Sequence, residues 1–252
     1  MKKTRTFDLL SLGVLLLSLA GFVLRCGLYY SALDEKNLLI RGHPLELCLW
    51  GVTGAAVLLS VAAARWGCPM KQYAANFDSS LLAAFGHILA GSGILMTVLV
   101  SAGSNAALIG KLWKITGIVN CIGFYWAAFR RVRGEQPPFG VYAVASVFFA
   151  LQLVANYQVW CANPQLQDYV FAFLGSLMLM LLSYQHMAFC VDGGNSFLLR
   201  LTGLLATFFC VTALATEYSL TLYGGCALWA FTGMSRINPR REKKVGDGHG
   251  PA

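Results

Sequence analysis

Residues 197–234 read FLLRLTGLLATFFCVTALATEYSLTLYGGCALWAFTGM, an almost wholly apolar stretch. A single helix of about 38 residues would be nearly twice as long as the roughly 30 Å hydrocarbon layer of a bilayer requires. Glu217 and Tyr218 interrupt the stretch near its middle. It therefore predicts two short membrane-spanning helices joined by a tight hairpin, with Glu217 at the tip.

The composition of the whole chain agrees with a membrane protein. Of its 252 residues, 57% are hydrophobic and 12% are charged, and the mean hydropathy is +0.62. An average soluble domain has about twice that charged fraction. This excludes a soluble globular enzyme. Disordered and collagen-like chains are excluded too, because the 26 glycines follow no period and the apolar content is high.

Continuous apolar runs, without the alternation of barrel strands, predict helices. The predicted fold class is all-α: a polytopic membrane helical bundle over residues 1–235, with about eight transmembrane helices, followed by a basic, disordered tail at 236–252. An alternative for the first run is a secretory signal cleaved after Ala20, but the apolar run continues beyond that point and favours an uncleaved span. The predicted spans are 9–28, 44–64, 80–101, 108–129, 139–159, 169–190, 197–216 and 219–234.

The distribution of basic residues predicts the orientation of this bundle. Cytoplasmic loops of membrane proteins are enriched in Lys and Arg. With the N-terminus inside, 14 of the 19 basic residues fall on the cytoplasmic side, and both termini are cytoplasmic. These 14 residues are Lys2, Lys3, Arg5, Arg65, Lys71, Arg130, Arg131, Arg133, Arg200, Arg236, Arg240, Arg241, Lys243 and Lys244. The charge of +8 therefore reflects membrane orientation, and we expect no nucleic-acid partner.

Polar residues inside the predicted spans are the candidate binding residues, because such groups are costly in a bilayer. They concentrate in the outer half, where we expect Arg25, Glu46, Gln152, Asn156 and Glu217 to line a pocket for a small polar solute. In the alternative interpretation these groups satisfy one another and exclude solvent. Arg25 then extends to the interface or pairs with Glu46 or Glu217, and Gln152 and Asn156 form hydrogen bonds between helices.

Four further polar residues, three histidines and one amide, also need an interpretation. His43, Pro44 and Glu46 have the spacing of a helix N-cap, and His43 is alternatively part of a proton relay. His87, among small residues in the third span, is a packing histidine or a second member of that relay. We expect His186 to lie at the interface, and Asn120 either to pack or to line a solute path.

The sequence contains no motif of a familiar catalytic or metal site. A phosphate-binding GxxxxGK[ST] loop, an HExxH zinc motif and a GxSxG nucleophile elbow are all absent. The eight cysteines include no Cys-x-x-Cys pair and are interpreted as packing residues, with a disulfide among Cys26, Cys48 and Cys161 allowed but not required. We therefore predict no catalytic residues, no metal and no cofactor.

Three functional classes remain. The bundle with negligible loops favours a small-solute permease or a membrane subunit of a transport system, in the plasma membrane. The first alternative is a non-catalytic membrane sensor or assembly partner that presents its basic face to another protein. The second is an outer-face enzyme acting on lipid or envelope intermediates. The expected partners are the lipid bilayer and a small polar solute, and the sequence does not identify a protein partner.

Overall fold

The computed structural model describes residues 9–31, 43–65, 71–100, 108–160, 166–215 and 220–234, and this part of the chain is helical apart from short connections. Its helices are α1 (Leu9–Ser31), α2 (Pro44–Ala64), α3 (Tyr73–Asn76), α4 (Leu81–Val100), α5 (Leu108–Arg133), α6 (Phe139–Trp160), α7 (Leu166–Cys190), α8 (Ser196–Ala213) and α9 (Leu220–Gly233). The all-helical prediction is confirmed. The single turn α3 was not predicted.

Within those ranges, six helices are long and apolar enough to cross a membrane: α1, α2, α4, α6, α7 and α8. Many of their large apolar side chains face outward, as lipid-facing residues do; Leu16, Leu58 and Leu81 are examples. The chain is therefore an integral membrane protein. The predicted break in residues 197–234 is present, because α8 ends at Ala213 and α9 begins at Leu220. Glu217 itself lies outside the described residues.

Five helices form a closed ring. Helix α4 packs against α5, α5 against α6, and α6 against α7. Helix α9 packs against both α7 and α4 and so closes the ring. Outside the ring, α8 packs against α7 and α9, while α1 and α2 pack against each other and against α8. The ring thus encloses an interior to which five helices contribute side chains.

Contacts between helix ends show that successive long helices run in opposite directions. The amide of Ser80, before α4, donates to the carbonyl of Arg131 at the end of α5. Near the other end, the guanidinium of Arg25 in α1 donates to the carbonyl of Thr212 in α8. One end of the bundle therefore carries Arg65, Arg130, Arg133 and Arg200, and we call it the basic face. Its position relative to the cytoplasm stays a prediction.

Glycines bring α4 and α9 close together. A Cβ atom on Gly93 would collide with the carbonyl oxygen of Thr221, and one on Gly225 would collide with the carbonyl oxygen of Leu89. Small residues are the usual means of close helix packing in membranes, where van der Waals contact replaces the hydrophobic effect between helices. This close packing brings Trp229 of α9 directly against His87 of α4.

Candidate functional site

Arg25, the first of the predicted binding residues, lies outside the helix ring. Its side chain is buried between α1, α7 and α8. The guanidinium donates to the carbonyl oxygen of Thr212 at 3.5 Å and lies 4.8 Å from the centre of the Phe171 ring. A planar cation over an aromatic face is electrostatically favourable, so Phe171 compensates part of the desolvation cost.

His43 and Glu46 begin α2 as the capping interpretation predicts. His43 is the N-cap residue, and its Nδ1 accepts a hydrogen bond from the amide of Leu45 at 3.4 Å. Pro44 occupies the first helical position, and the partly buried Glu46 donates its amide to the carbonyl of His43. His43 as the N-cap and Pro44 as the first helical residue are confirmed, while capping by the Glu46 carboxylate stays a prediction. A role of His43 in proton transfer stays a prediction.

Gln152 and Asn156 lie one turn apart on α6, as their spacing requires. Gln152 is buried and Asn156 is partly buried. Helices α7 and α8 separate α6 from α1 in the order of packing, so Gln152 belongs to the ring and Arg25 to the helices outside it. With Glu217 outside the described residues, the pocket of five residues stays a proposal.

His87 is at the centre of the hydrogen-bond network inside the ring. Its Nδ1 lies 2.7 Å from the carbonyl oxygen of Ala83, which can only accept, so Nδ1 carries the proton. Its Nε2 therefore accepts, from the indole N–H of Trp229 at 3.0 Å and from the hydroxyl of Tyr142 at 3.1 Å. Both ring nitrogens of this buried, neutral histidine are satisfied. The packing interpretation of His87 is confirmed, while a proton-relay role stays a prediction.

His186 does not lie at the interface, and that prediction was wrong. The side chain is only 4% exposed, and its ring stacks on Tyr142 with ring centres 4.9 Å apart. Phe77 and Trp229 flank it, each with its ring centre 5.6 Å away. Its Nδ1 is buried without a hydrogen-bond partner in the described part of the chain. The ring interior thus contains a second histidine, which packs against three aromatic rings.

The segment around α3 closes the ring at its basic face. Phe77 packs edge-on against Phe189 at the end of α7 and stacks with Tyr73. The guanidinium of Arg131 lies 4.7 Å from the centre of the Phe77 ring. Burial raises the pKa of Tyr73, and the nearby charge of Arg131 opposes that shift. Aromatic rings and one buried arginine therefore occupy this end of the interior.

The buried face of α5 contains polar atoms that lack a hydrogen-bond partner among the described residues. Trp113, Gly117, Asn120 and Phe124 follow one face of α5, because they recur every three or four residues. Asn120 is 0% exposed, and both its amide nitrogen and its amide oxygen lack a hydrogen-bond partner within the described ranges.

Gln152 on α6 is buried one turn from Phe148, a residue that packs against α5. Phe148 stacks on Trp113 with ring centres 5.8 Å apart. Gln152 Oε1 and Trp113 Nε1 are both buried without a hydrogen-bond partner among the described residues, and the two side chains are 5% and 7% exposed. We call Trp113, Asn120 and Gln152 the seam residues. Together they offer buried donors and acceptors on α5 and α6.

The chemistry that these groups can perform is recognition by hydrogen bonding. Amide groups and an indole N–H are uncharged, and none of them is a strong acid, base or nucleophile near neutral pH. Among the described residues, no group of three His, Cys, Asp or Glu side chains could hold a metal ion. The uncharged groups can therefore recognise a polar molecule through hydrogen bonds.

A comparison of the chain with family models, with curated proteins and with solved structures finds no match. Functional inference therefore rests on the residues of this chain. Sequence reasoning identified Gln152 and Asn120, because amides in an apolar run stand out. It missed Trp113, Tyr142 and Trp229, because an aromatic residue in an apolar run has the same appearance whether it faces lipid, a neighbouring helix or a ligand.

Proposed function

We propose that this membrane protein binds a small polar solute between α5 and α6 inside the five-helix ring, as a permease or as the membrane subunit of a transport system. In this proposal α5 and α9 also cross the membrane, which makes eight spans with both termini in the cytoplasm. The charge distribution supports that orientation, because the basic face carries four of the six arginines among the described residues.

The observation that carries the proposal is the set of unpartnered polar atoms on the seam residues. A buried polar group without a hydrogen bond costs about 1–3 kcal/mol, and folded proteins contain few of them. In Asn120, both the amide nitrogen and the amide oxygen are buried without a hydrogen-bond partner among the described residues. Leucine, which is of nearly the same size, would avoid this cost. A fully buried amide at this position therefore suggests that a ligand or a water molecule completes its hydrogen bonds.

The position of the seam residues agrees with a transport site. Asn120 lies near the middle of α5, with Trp113 about 10 Å further from the basic face at 1.5 Å per residue. Solute sites of transporters lie near mid-depth, between helices that each contribute polar groups. The aromatic packing of Phe77, Tyr142 and Trp229 fills the ring on the basic side of this site. We infer that the solute enters from the opposite face, where Arg25, Glu46 and Asn156 supply further polar groups.

The test combines ligand-dependent stability with variants of the seam. The purified protein in lipid nanodiscs is heated with a panel of neutral amides, amino acids, polyols and nucleosides, and its unfolding temperature is recorded. A ligand that binds the folded state alone raises stability by RT ln(1 + [L]/Kd), about 2.7 kcal/mol at one hundred times Kd. Uptake of that solute into proteoliposomes then distinguishes transport from binding.

Asn120→Leu and Gln152→Leu should each abolish the ligand-dependent rise. The matched control is Thr53→Val on α2, outside the ring, whose hydroxyl is satisfied within its own helix by the carbonyl of Leu49. It also removes a buried polar group, and it should leave the rise unchanged. The proposal fails if both seam variants respond to the solute as the unaltered protein does.

A second candidate function, a non-catalytic sensor or assembly partner, is favoured by the packing on the basic side of the ring. Phe124, Tyr142 and Trp229 are fully buried there and fill the interior around His87 and His186. A protein that passes no solute has no need to open this packing. Binding of a solute without any uptake into proteoliposomes would favour this candidate over the permease.

A further inference from the structure

A groove on the outer surface of α4 and α5 lies beside the basic face. Its volume is about 630 Å³, and it is lined by Ser80, Leu81, Leu82, Ala84, Phe85, Ile88 and Val132. Small-molecule sites have volumes of roughly 300–1,000 Å³, so the groove can hold a substantial part of a lipid-sized molecule. It lies outside the helix ring and is separate from the seam residues.

The lining of the groove matches a hydrocarbon chain. Six of its seven residues are apolar, and several of them face outward on helices that cross the membrane; Leu81 and Phe85 are examples. Along α4 the groove extends from Ser80 to Ile88, a rise of about 12 Å at 1.5 Å per residue. That is somewhat less than half of the roughly 30 Å hydrocarbon layer. Its depth is thus that of the upper part of an acyl chain in one leaflet.

Basic side chains lie at the end of the groove where a lipid headgroup would be. Val132, which lines the groove, directly precedes Arg133, and a Cβ atom on Gly134 would lie 3.5 Å from Ser79 beside the start of α4. The guanidinium of Arg133 lies 4.2 Å from the centre of the Phe129 ring, and Phe129 is on the lipid-facing side of α5. This stacking holds the charge of Arg133 at the basic face, close to the end of the groove.

Among the described residues, the other charges near the groove leave Arg133 as its main cation. Arg130 forms an ion pair with Glu135, with Nη1 and Oε2 3.2 Å apart, so these two charges largely compensate each other. Arg131 is buried inside the bundle against Phe77. Asp78 carries a negative charge shortly before α4, but the first turn of α4 contains no acidic side chain. The positive end of the α4 helix dipole therefore adds to Arg133 in attracting an anion.

We propose that this groove is a binding site for an anionic phospholipid, with one acyl chain along α4 and the phosphate beside Arg133. Charge complementarity selects this occupant, because a basic juxtamembrane side chain attracts an anionic headgroup and an apolar groove accepts the attached chain. A zwitterionic lipid would gain the same apolar contact without the net electrostatic attraction. The site should therefore discriminate by headgroup charge.

The experiment measures lipids that stay bound to the full chain. The protein is reconstituted with equal amounts of phosphatidylglycerol and phosphatidylcholine of identical acyl chains, released into the gas phase, and weighed with its retained lipids by native mass spectrometry. The expected result is preferential retention of phosphatidylglycerol. Arg133→Gln should reduce the ratio of phosphatidylglycerol to phosphatidylcholine about fivefold, which is the usual effect of one basic residue at a membrane surface.

Two matched controls keep the outcome interpretable. Arg65→Gln removes another arginine of the basic face, at the end of α2 and away from the groove, and should leave the ratio unchanged. Leu82→Trp fills the groove from its lipid side and should displace the lipid. Leu12→Trp, at a position of α1 with the same exposure (41% against 40% for Leu82), should not displace it. Equal retention of both lipids, or equal losses in Arg133→Gln and Arg65→Gln, would overturn the proposal.

Discussion

Trp229 donates its indole N–H to Nε2 of His87 over 3.0 Å, and this bond joins α9 to α4 inside the helix ring. The two residues lie 142 positions apart in the chain. Because Nδ1 of His87 already donates to the carbonyl of Ala83, the indole bond also sets the tautomer of the histidine. The close approach of α4 and α9 at their glycines is what makes this bond possible.

Trp229→Phe should destabilise the protein by about 1–3 kcal/mol, because it removes the indole donor in a fully buried site. Tyr142 would remain the only partner of His87 Nε2 that the structure describes. The measurement is thermal or denaturant unfolding in nanodiscs. Trp126→Phe is the matched control, since Trp126 is about half exposed on the outer surface of α5. Equal stability losses in the two variants would contradict the role of the indole bond.

Gly93→Ala should also destabilise the protein, because its Cβ would meet the backbone oxygen of Thr221, which cannot move without shifting α9. The expected loss is about 1–3 kcal/mol, the usual cost of overpacking. Gly54→Ala on α2 is the control, since a Cβ there has nothing within 4 Å. That variant should be neutral or gain up to about 1 kcal/mol from higher helix propensity. A Gly93→Ala variant as stable as the unaltered protein would show that α9 can shift away from α4 at little cost, and would contradict this prediction.

The pairing of Arg25 with a carboxylate stays a prediction, with Glu46 as the first candidate and Glu217 as the second. Arg25→Leu should lower the free energy of unfolding by about 1–3 kcal/mol, since it removes the bond to the Thr212 carbonyl and leaves a carboxylate uncompensated. Glu46→Gln in the same chain should restore part of that loss. A double-mutant cycle measures the coupling, and strictly additive effects would exclude direct contact with Glu46.

The predicted topology places both termini in the cytoplasm. A reporter fused after Ala252 should be active only as a cytoplasmic reporter, and a cysteine introduced near Asn163 should react with an impermeant reagent added outside. The reason is the excess of Lys and Arg on one side of the predicted spans. A chain with seven spans would expose the tail, so external access to Ala252 would exclude the arrangement of eight spans.

Several features could be predicted from the sequence because they depend on a single segment. Apolar runs of the right length predict membrane helices, and all described long helices begin and end within a few residues of the predicted bounds, apart from extensions of α1, α5 and α7. The break between α8 and α9 follows from Glu217 and Tyr218 in a stretch too long for one span. The cap at His43 depends on local spacing alone.

The sequence by itself thus determined that this protein is a helical membrane bundle and which polar residues its spans contain. Only the tertiary structure decided that α4, α5, α6, α7 and α9 form a ring, that His186 lies within it, and that Gln152 is buried one turn from Phe148, which stacks on Trp113, while Arg25 lies elsewhere. The reason is physical. In a bilayer both the lipid-facing and the buried sides of a helix are apolar, so sequence periodicity does not show which side meets a neighbour. Which side of each helix meets a neighbour is decided by close packing between particular glycines and aromatic rings. These residues are far apart in the chain.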